Sequence, residues 1–173
     1  TLFNYAAGTF GRMNGQLSTG EAFGAPPVWV TGRWPGKSAL QFNRDQGGRV
    51  VTPADMEFCL TGDITIAVWL CCSEQIRGGH ILSNRQEYNV NYQISLGDTQ
   101  NGRNPLQFAR YISDIGSDKP KAYTQTPFDF SDKWHFLTFT YENNVVRYYI
   151  DGALYEAVPY LFVSPSPALA ELV

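Results

Sequence analysis

Residues 63–72 read DITIAVWLCC, and this stretch decides the fold. Its period is two, with Ile64, Ile66, Val68 and Leu70 on one side of an extended chain and Thr65, Ala67, Trp69 and Cys71 on the other. Both sides are apolar enough for burial, which predicts a strand in the middle of a sandwich rather than at its edge. The same period continues downstream. Residues 135–141 and 145–150 alternate in the same way across Glu142, Asn143 and Asn144, and Asn tolerates the positive φ that a tight hairpin requires. Asp151-Gly152 supplies a second reversal of type I′ chemistry, leading into a strand at 153–157.

Between these anchors, residues 80–84 and 89–96 predict an antiparallel pair, and 106–113 a further strand after the polar turn 97–105. Residues 114–133 are rich in Asp, Lys, Pro and Ser and predict a long excursion with one strand near 122–126. Upstream, residues 1–37 form a Gly- and Pro-punctuated surface segment with extended pieces at 14–17 and 28–31, in which Trp29 and Trp34 are expected to pin the segment onto a core. Strands at 39–42 and 49–52 flank the turn 43–48. Residues 168–173 alone hint at a helix, or equally at a final strand cut short. About ten short strands without a sustained helical period predict an all-β chain, an antiparallel two-sheet β-sandwich of jelly-roll type.

Composition agrees with that class. The 173 residues include 16 Gly and 10 Pro, 14% are aromatic and 43% hydrophobic, enough for one domain spanning 1–173 with its own core. With 13 Lys and Arg against 16 Asp and Glu the net charge is −3, which offers no field for nucleic acid. No apolar run reaches the ~20 residues of a membrane helix, so no membrane insertion is expected. The first residue is Thr rather than Met, which predicts a processed chain or a piece of a longer one. Cys59, Cys71 and Cys72 lack zinc-site spacing; they read as three buried thiols, or as a bridge from Cys59 to Cys71 or Cys72 in an oxidising compartment.

Several ordered stretches resemble the laminin-G-like jelly-roll domains of the concanavalin A-like lectin/glucanase superfamily. They are NGQL at 14–17 followed by WVTG at 29–32 and ALQFN at 39–43, LTGDITIAVW at 60–69, WHFLTFTY at 134–141 and VRYYIDG at 146–152. Each is weak alone, and their order makes them specific. The family's aromatic-rich opening strand and its closing strand are missing. The resemblance thus implies a domain lacking part of its first and last strands, with residues 158–173 a docking tail or a truncated strand. Either residues 1–5 and 168–173 stand in for the missing strands or another chain completes the edges.

Some members of this superfamily are glycosidases, which deliver paired carboxylates from one strand as an ExDxE pattern; no such pattern is present, and an enzyme is not expected. His135 falls at a family strand position beside Trp134 and is read as structural. Saccharide recognition needs an aromatic platform beside planar polar groups. Asn89, Asn91, Gln93, Arg110, Tyr111, Arg147 and Tyr149 supply such a kit, with the first three sharing one strand face and Arg147 sharing another with Tyr149. The competing reading is the solvated polar face of any antiparallel sandwich. Calcium, which relatives often bind, would find loop oxygens on Asp45, Asp98 and Asp114, although solvated turn carboxylates explain these residues better. No other cofactor is expected.

The resemblance implies a non-catalytic binding or adhesion module that recognises glycans or a protein partner, displayed outside the cell or on a cell or virion surface. The alternative is a structural module of a larger assembly, such as a phage capsid decoration or tail-fibre protein. Size-exclusion chromatography separates the two, because a stable monomer counts against the second.

Overall fold

The structure is a computed structural model that describes residues 14–20, 24–54, 58, 60, 62–72, 79–86, 89–98, 103–111, 121–126 and 128–161. The chain divides between residues 55 and 56 into two units. In the first, β1 (Gln16–Thr19) pairs antiparallel with β4 (Gly48–Val51), and β2 (Val28–Thr31) with β3 (Ser38–Gln41). A single 3-10 turn at Arg44–Gln46 fills the reversal after β3; the Asn43 side chain caps it by accepting from the Asp45 backbone N–H at 3.1 Å. Trp29 and Trp34 do not serve as the expected pins: they remain 50% and 46% exposed.

The second unit is the predicted sandwich. One sheet has the order β12 (Ala153–Pro159), β11 (Val145–Ile150), β10 (Trp134–Glu142), β5 (Ile64–Cys71), antiparallel throughout. The other has the order β6 (Gly79–Gln86), β7 (Asn89–Asp98), β8 (Arg103–Tyr111), β9 (Lys121–Tyr123), also antiparallel. The turn chemistry acts where it was read: Asn143 and Asn144 both adopt positive φ, 51° and 59°, between β10 and β11, and Asp151 and Gly152 do so between β11 and β12. Asp151 then ties that turn to β10, its carboxylate accepting from the Phe136 N–H at 2.9 Å and lying 2.8 Å from His135 Nδ1. His135 is thus held at a strand end, its ring packed edge-on to Phe128 and Phe130.

The core lies between the two sheets. Leu137, Phe139 and Tyr141 of β10 and Val146, Tyr148 and Ile150 of β11 face Ile94, Leu96, Leu106 and Phe108 of β7 and β8, all buried. Phe108 stacks on Tyr141 with centroids 5.9 Å apart, and Tyr148 crosses the interface to donate its O–H to the Ala122 carbonyl at 2.8 Å. Two expectations are corrected here. Among the described strands β5 ends its sheet instead of lying in its middle, and Thr65, Ala67 and Cys71 on its second side are exposed; only the Ile64 side is committed to the core. The chain beyond 157 is not all tail: β12 runs to Pro159, and Tyr160 is buried, accepting from the Arg110 backbone N–H at 2.8 Å. Residues 162–173, like residues 1–5, lie outside the described residues.

Cys71 and Cys72 are both free thiols, Cys71 exposed and Cys72 buried, and Cys59 lies outside the described residues. Burial, reinforced by neighbouring Cys71, pushes the Cys72 thiol up to about 11, and burial also raises the Tyr148 phenol. Ordinary thiols and phenols ionise near ~8.5 and ~10, so below about pH 8.5 folded and unfolded chains are protonated alike and this stabilisation is fully present. Above that, the unfolded chain sheds protons that the folded chain keeps, and stability falls as pH rises. A urea midpoint at pH 10.5 is expected to correspond to about 3 kcal/mol less stability than at pH 8, with Cys72→Ala flattening the slope. A midpoint constant to pH 10.5 would contradict the burial of these groups.

Candidate functional site

The register set by the Asn143-Asn144 turn aligns three strands of the first sheet. Arg147 on β11 opposes Thr140 on β10, which opposes Thr65 on β5; one row along, Tyr149 opposes Thr138, which opposes Ala67. Tyr141 and Phe139 point into the core, so alternation places Arg147, Tyr149, Thr138 and Thr140 on the sheet's other face. Two rows beyond Thr140 on the same face, Trp69 and Phe136 oppose each other with ring centroids 4.9 Å apart.

At the polar end of this face an open cleft of about 380 Å³ is lined by Asp63, Thr65, Thr140, Glu142, Arg147 and Tyr149 among others. The Glu142 carboxylate lies 3.9 Å from Arg147 Nη1, a solvent-accessible charge pair at the cleft wall. The lining therefore combines the Tyr149 ring, one guanidinium, two threonine hydroxyls and two carboxylates, with Ile64 and Tyr141 as its remaining members. Such a set can accept from and donate to a rim of hydroxyl groups while offering an apolar surface to a ring.

The residues singled out from sequence do not converge on one site. Arg147 and Tyr149 come together in the cleft, whereas the other five stand on β7 and β8 of the opposite sheet. Asn91 and Gln93 are 2% and 6% exposed, since β7 is covered on both faces along Val90–Leu96; Asn91 Nδ2 donates to Asn84 Oδ1 at 2.9 Å and Gln93 Nε2 to Ser95 Oγ at 3.4 Å. Their face is thus closed where sequence placed an open one. Arg110 is 0% exposed and lies in the core, donating from Nη1 to the Gly62 carbonyl at 2.7 Å and from Nη2 to the Leu60 carbonyl, with its guanidinium 5.6 Å from the Tyr141 ring centroid. Burial pulls its pKa down against the opposing influence of Tyr141, Tyr160 and Asp63. Asn89 and Tyr111 occupy strand ends opposite Gln86 and Val90.

Asp63, Thr65, Thr140 and Glu142 were missed as site residues. Both threonines alternate in phase with the outward residues of their strands, and the hairpin turn fixes their register, so that signal was present. As for metals, Asp45 sits in the 3-10 turn, Asp98 ends β7, and Asp114 lies outside the described residues. Among the described residues no group of three or more His, Cys, Asp or Glu side chains is placed to hold an ion.

Two packed antiparallel sheets define a β-sandwich. The chain belongs to the concanavalin A-like lectin/glucanases superfamily, whose laminin-G-type family model matches residues 44–170. Among solved structures it is similar to domain 4 of AbnA, a GH43 extracellular arabinanase from Geobacillus stearothermophilus, in complex with arabinotriose. That likeness has a TM-score of 0.64 at 17% identity and covers 94% of this chain and 73% of the other. A Bacillus licheniformis β-glucanase is also similar, with a TM-score of 0.43 at 12% identity over 85% of this chain and 62% of that one. No curated protein sequence matches it.

Proposed function

We propose that this chain is a non-catalytic saccharide-binding module whose site is the cleft at the β5–β10–β11 end of the sandwich. One observation carries the reading: Arg147 and Tyr149, an aromatic and a guanidinium at alternate positions of one strand, line an open cleft together with threonine hydroxyls and carboxylates. A sugar ring lies with its apolar face toward Tyr149, while Arg147 donates to ring and hydroxyl oxygens and Asp63 and Glu142 accept from hydroxyls. The Trp69–Phe136 pair continues this face and gives a longer oligosaccharide a second surface to lie along.

Bond cleavage is not part of the proposal. Glycoside hydrolysis needs one carboxyl held protonated as acid and a second as nucleophile or base across the bond. Glu142 at the end of β10 and Asp63 just ahead of β5 are assigned instead to accept from sugar hydroxyls. Display outside the cell or on a virion or cell surface accompanies this reading, because extended saccharides are met there.

Titration calorimetry with arabinotriose, the oligosaccharide bound by the similar arabinanase domain, tests the proposal. Binding is expected, and Tyr149→Ala and Arg147→Ala are each expected to weaken it by about tenfold, the equivalent of ~1.4 kcal/mol, with the sugar recovered intact. Unchanged affinity in both variants would move the site elsewhere. Absence of binding to neutral oligosaccharides at millimolar concentration would remove the reading.

A further inference from the structure

The β2–β3 hairpin holds a feature that the cleft does not use. Its reversal is built by Trp34-Pro35-Gly36-Lys37: the Lys37 N–H donates to the Trp34 carbonyl at 3.0 Å, Gly36 adopts φ 73°, and the Gly32 N–H donates to the Lys37 carbonyl at 2.8 Å. Proline at the second position and a positive-φ glycine at the third are the requirements of a type II turn, so the tip is rigid by sequence. Thr31 pairs with Ser38, and Trp29 pairs with Leu40 on the same face of the ribbon. Together with Val30, Gly36 and Lys37, the residues Trp29, Thr31 and Ser38 line an open cleft of about 660 Å³.

Two properties set this cleft apart. Trp29 offers half its surface to solvent, so a ring can reach its indole face directly. Residues 28–41 contain Arg33 and Lys37 and no acid, within a chain of net charge −3. Arg33 is held over the Trp34 ring, 4.9 Å from its centroid, which fixes the second cation at the same tip. An indole face, two hydroxyls and adjacent cations fit a ring compound that has an apolar side, hydroxyl groups and a negative charge. Two cations are few for a polyphosphate, whose binding draws on many charge contacts.

We infer that the β2–β3 hairpin is a second ligand site, one that takes carboxylate-bearing saccharides, with the sugar ring against Trp29 and its carboxylate on Lys37. This goes beyond the proposal for the Arg147 and Tyr149 cleft and stands or falls separately from it. Tryptophan fluorescence titration with trigalacturonate tests it. The expected result is a saturable change that weakens as salt is raised, is lost in Trp29→Ala, and requires about tenfold more ligand in Lys37→Gln. Both variants should bind arabinotriose as the parent chain does. Lys37 lies in an exposed turn, so Lys37→Gln keeps the test open even if Trp29→Ala folds poorly. No response to trigalacturonate, equal affinity in Lys37→Gln, or an equal response to citrate would overturn the inference, the last because charge alone would then explain binding.

Discussion

Arg110→Ala is expected to destabilise the sandwich by about 4 kcal/mol, lowering the melting temperature by about 10 °C for a chain of this size. The side chain is wholly buried, and its two terminal nitrogens donate to the carbonyls of Gly62 and Leu60, fastening the approach to β5 onto β8. Alanine would remove two hydrogen bonds from a charged donor, worth about 1.5–3 kcal/mol each, and would open a cavity beneath the Tyr141 ring. Arg110→Met keeps the bulk and removes only the donors, so it should cost about half as much. Urea denaturation at neutral pH measures both. An Arg110→Met variant with unchanged stability but lost saccharide affinity would return Arg110 to the role read from sequence, as a ligand residue.

Gly24→Ala should be nearly as severe within the first unit. A Cβ at residue 24 would lie 2.0 Å from the Gln46 carbonyl oxygen, a backbone atom that cannot swing aside as a side chain can. The loop before β2 and the 3-10 turn before β4 must then separate, at an expected cost of about 3 kcal/mol or more. Gly62→Ala is the matched control, because nothing lies within 4 Å of its added Cβ, and it should change stability by less than about 0.5 kcal/mol. Amide spectra are expected to show loss of dispersion among β1–β4 resonances in Gly24→Ala and none in Gly62→Ala. Equal stabilities in the two variants would mean that the close approach at residue 24 is wrong.

The strands were legible because period-two alternation and turn chemistry are local properties. Val28–Thr31 and Val145–Ile150 carry the bounds read from the residues, and the Asn143-Asn144 and Asp151-Gly152 reversals adopt the positive φ their residue types favour. What sequence concealed was tertiary. Alternation put Arg110 in phase with Phe108, and an arginine in that phase gives no sign that carbonyls 48 and 50 residues away will solvate it in the core. Asn91 and Gln93 read as a solvated face because polar alternation cannot reveal that a central strand is covered on both sides. Trp29 and Trp34 erred the other way: size suggested anchoring, yet the short β2–β3 ribbon leaves both half exposed. For the candidate site, Arg147 and Tyr149 were found because one strand carries both, while Asp63, Thr65, Thr140 and Glu142 join them only through register across three strands.

A crystal structure of the chain soaked with arabinotriose tests the central claim most directly. The account predicts an intact oligosaccharide on the outer face of β10 and β11, its ring against Tyr149 and its oxygens within hydrogen-bonding distance of Arg147. Sugar density beside Gln93 and Gln107 on the opposite sheet, or a cleaved product held between Asp63 and Glu142, would contradict it.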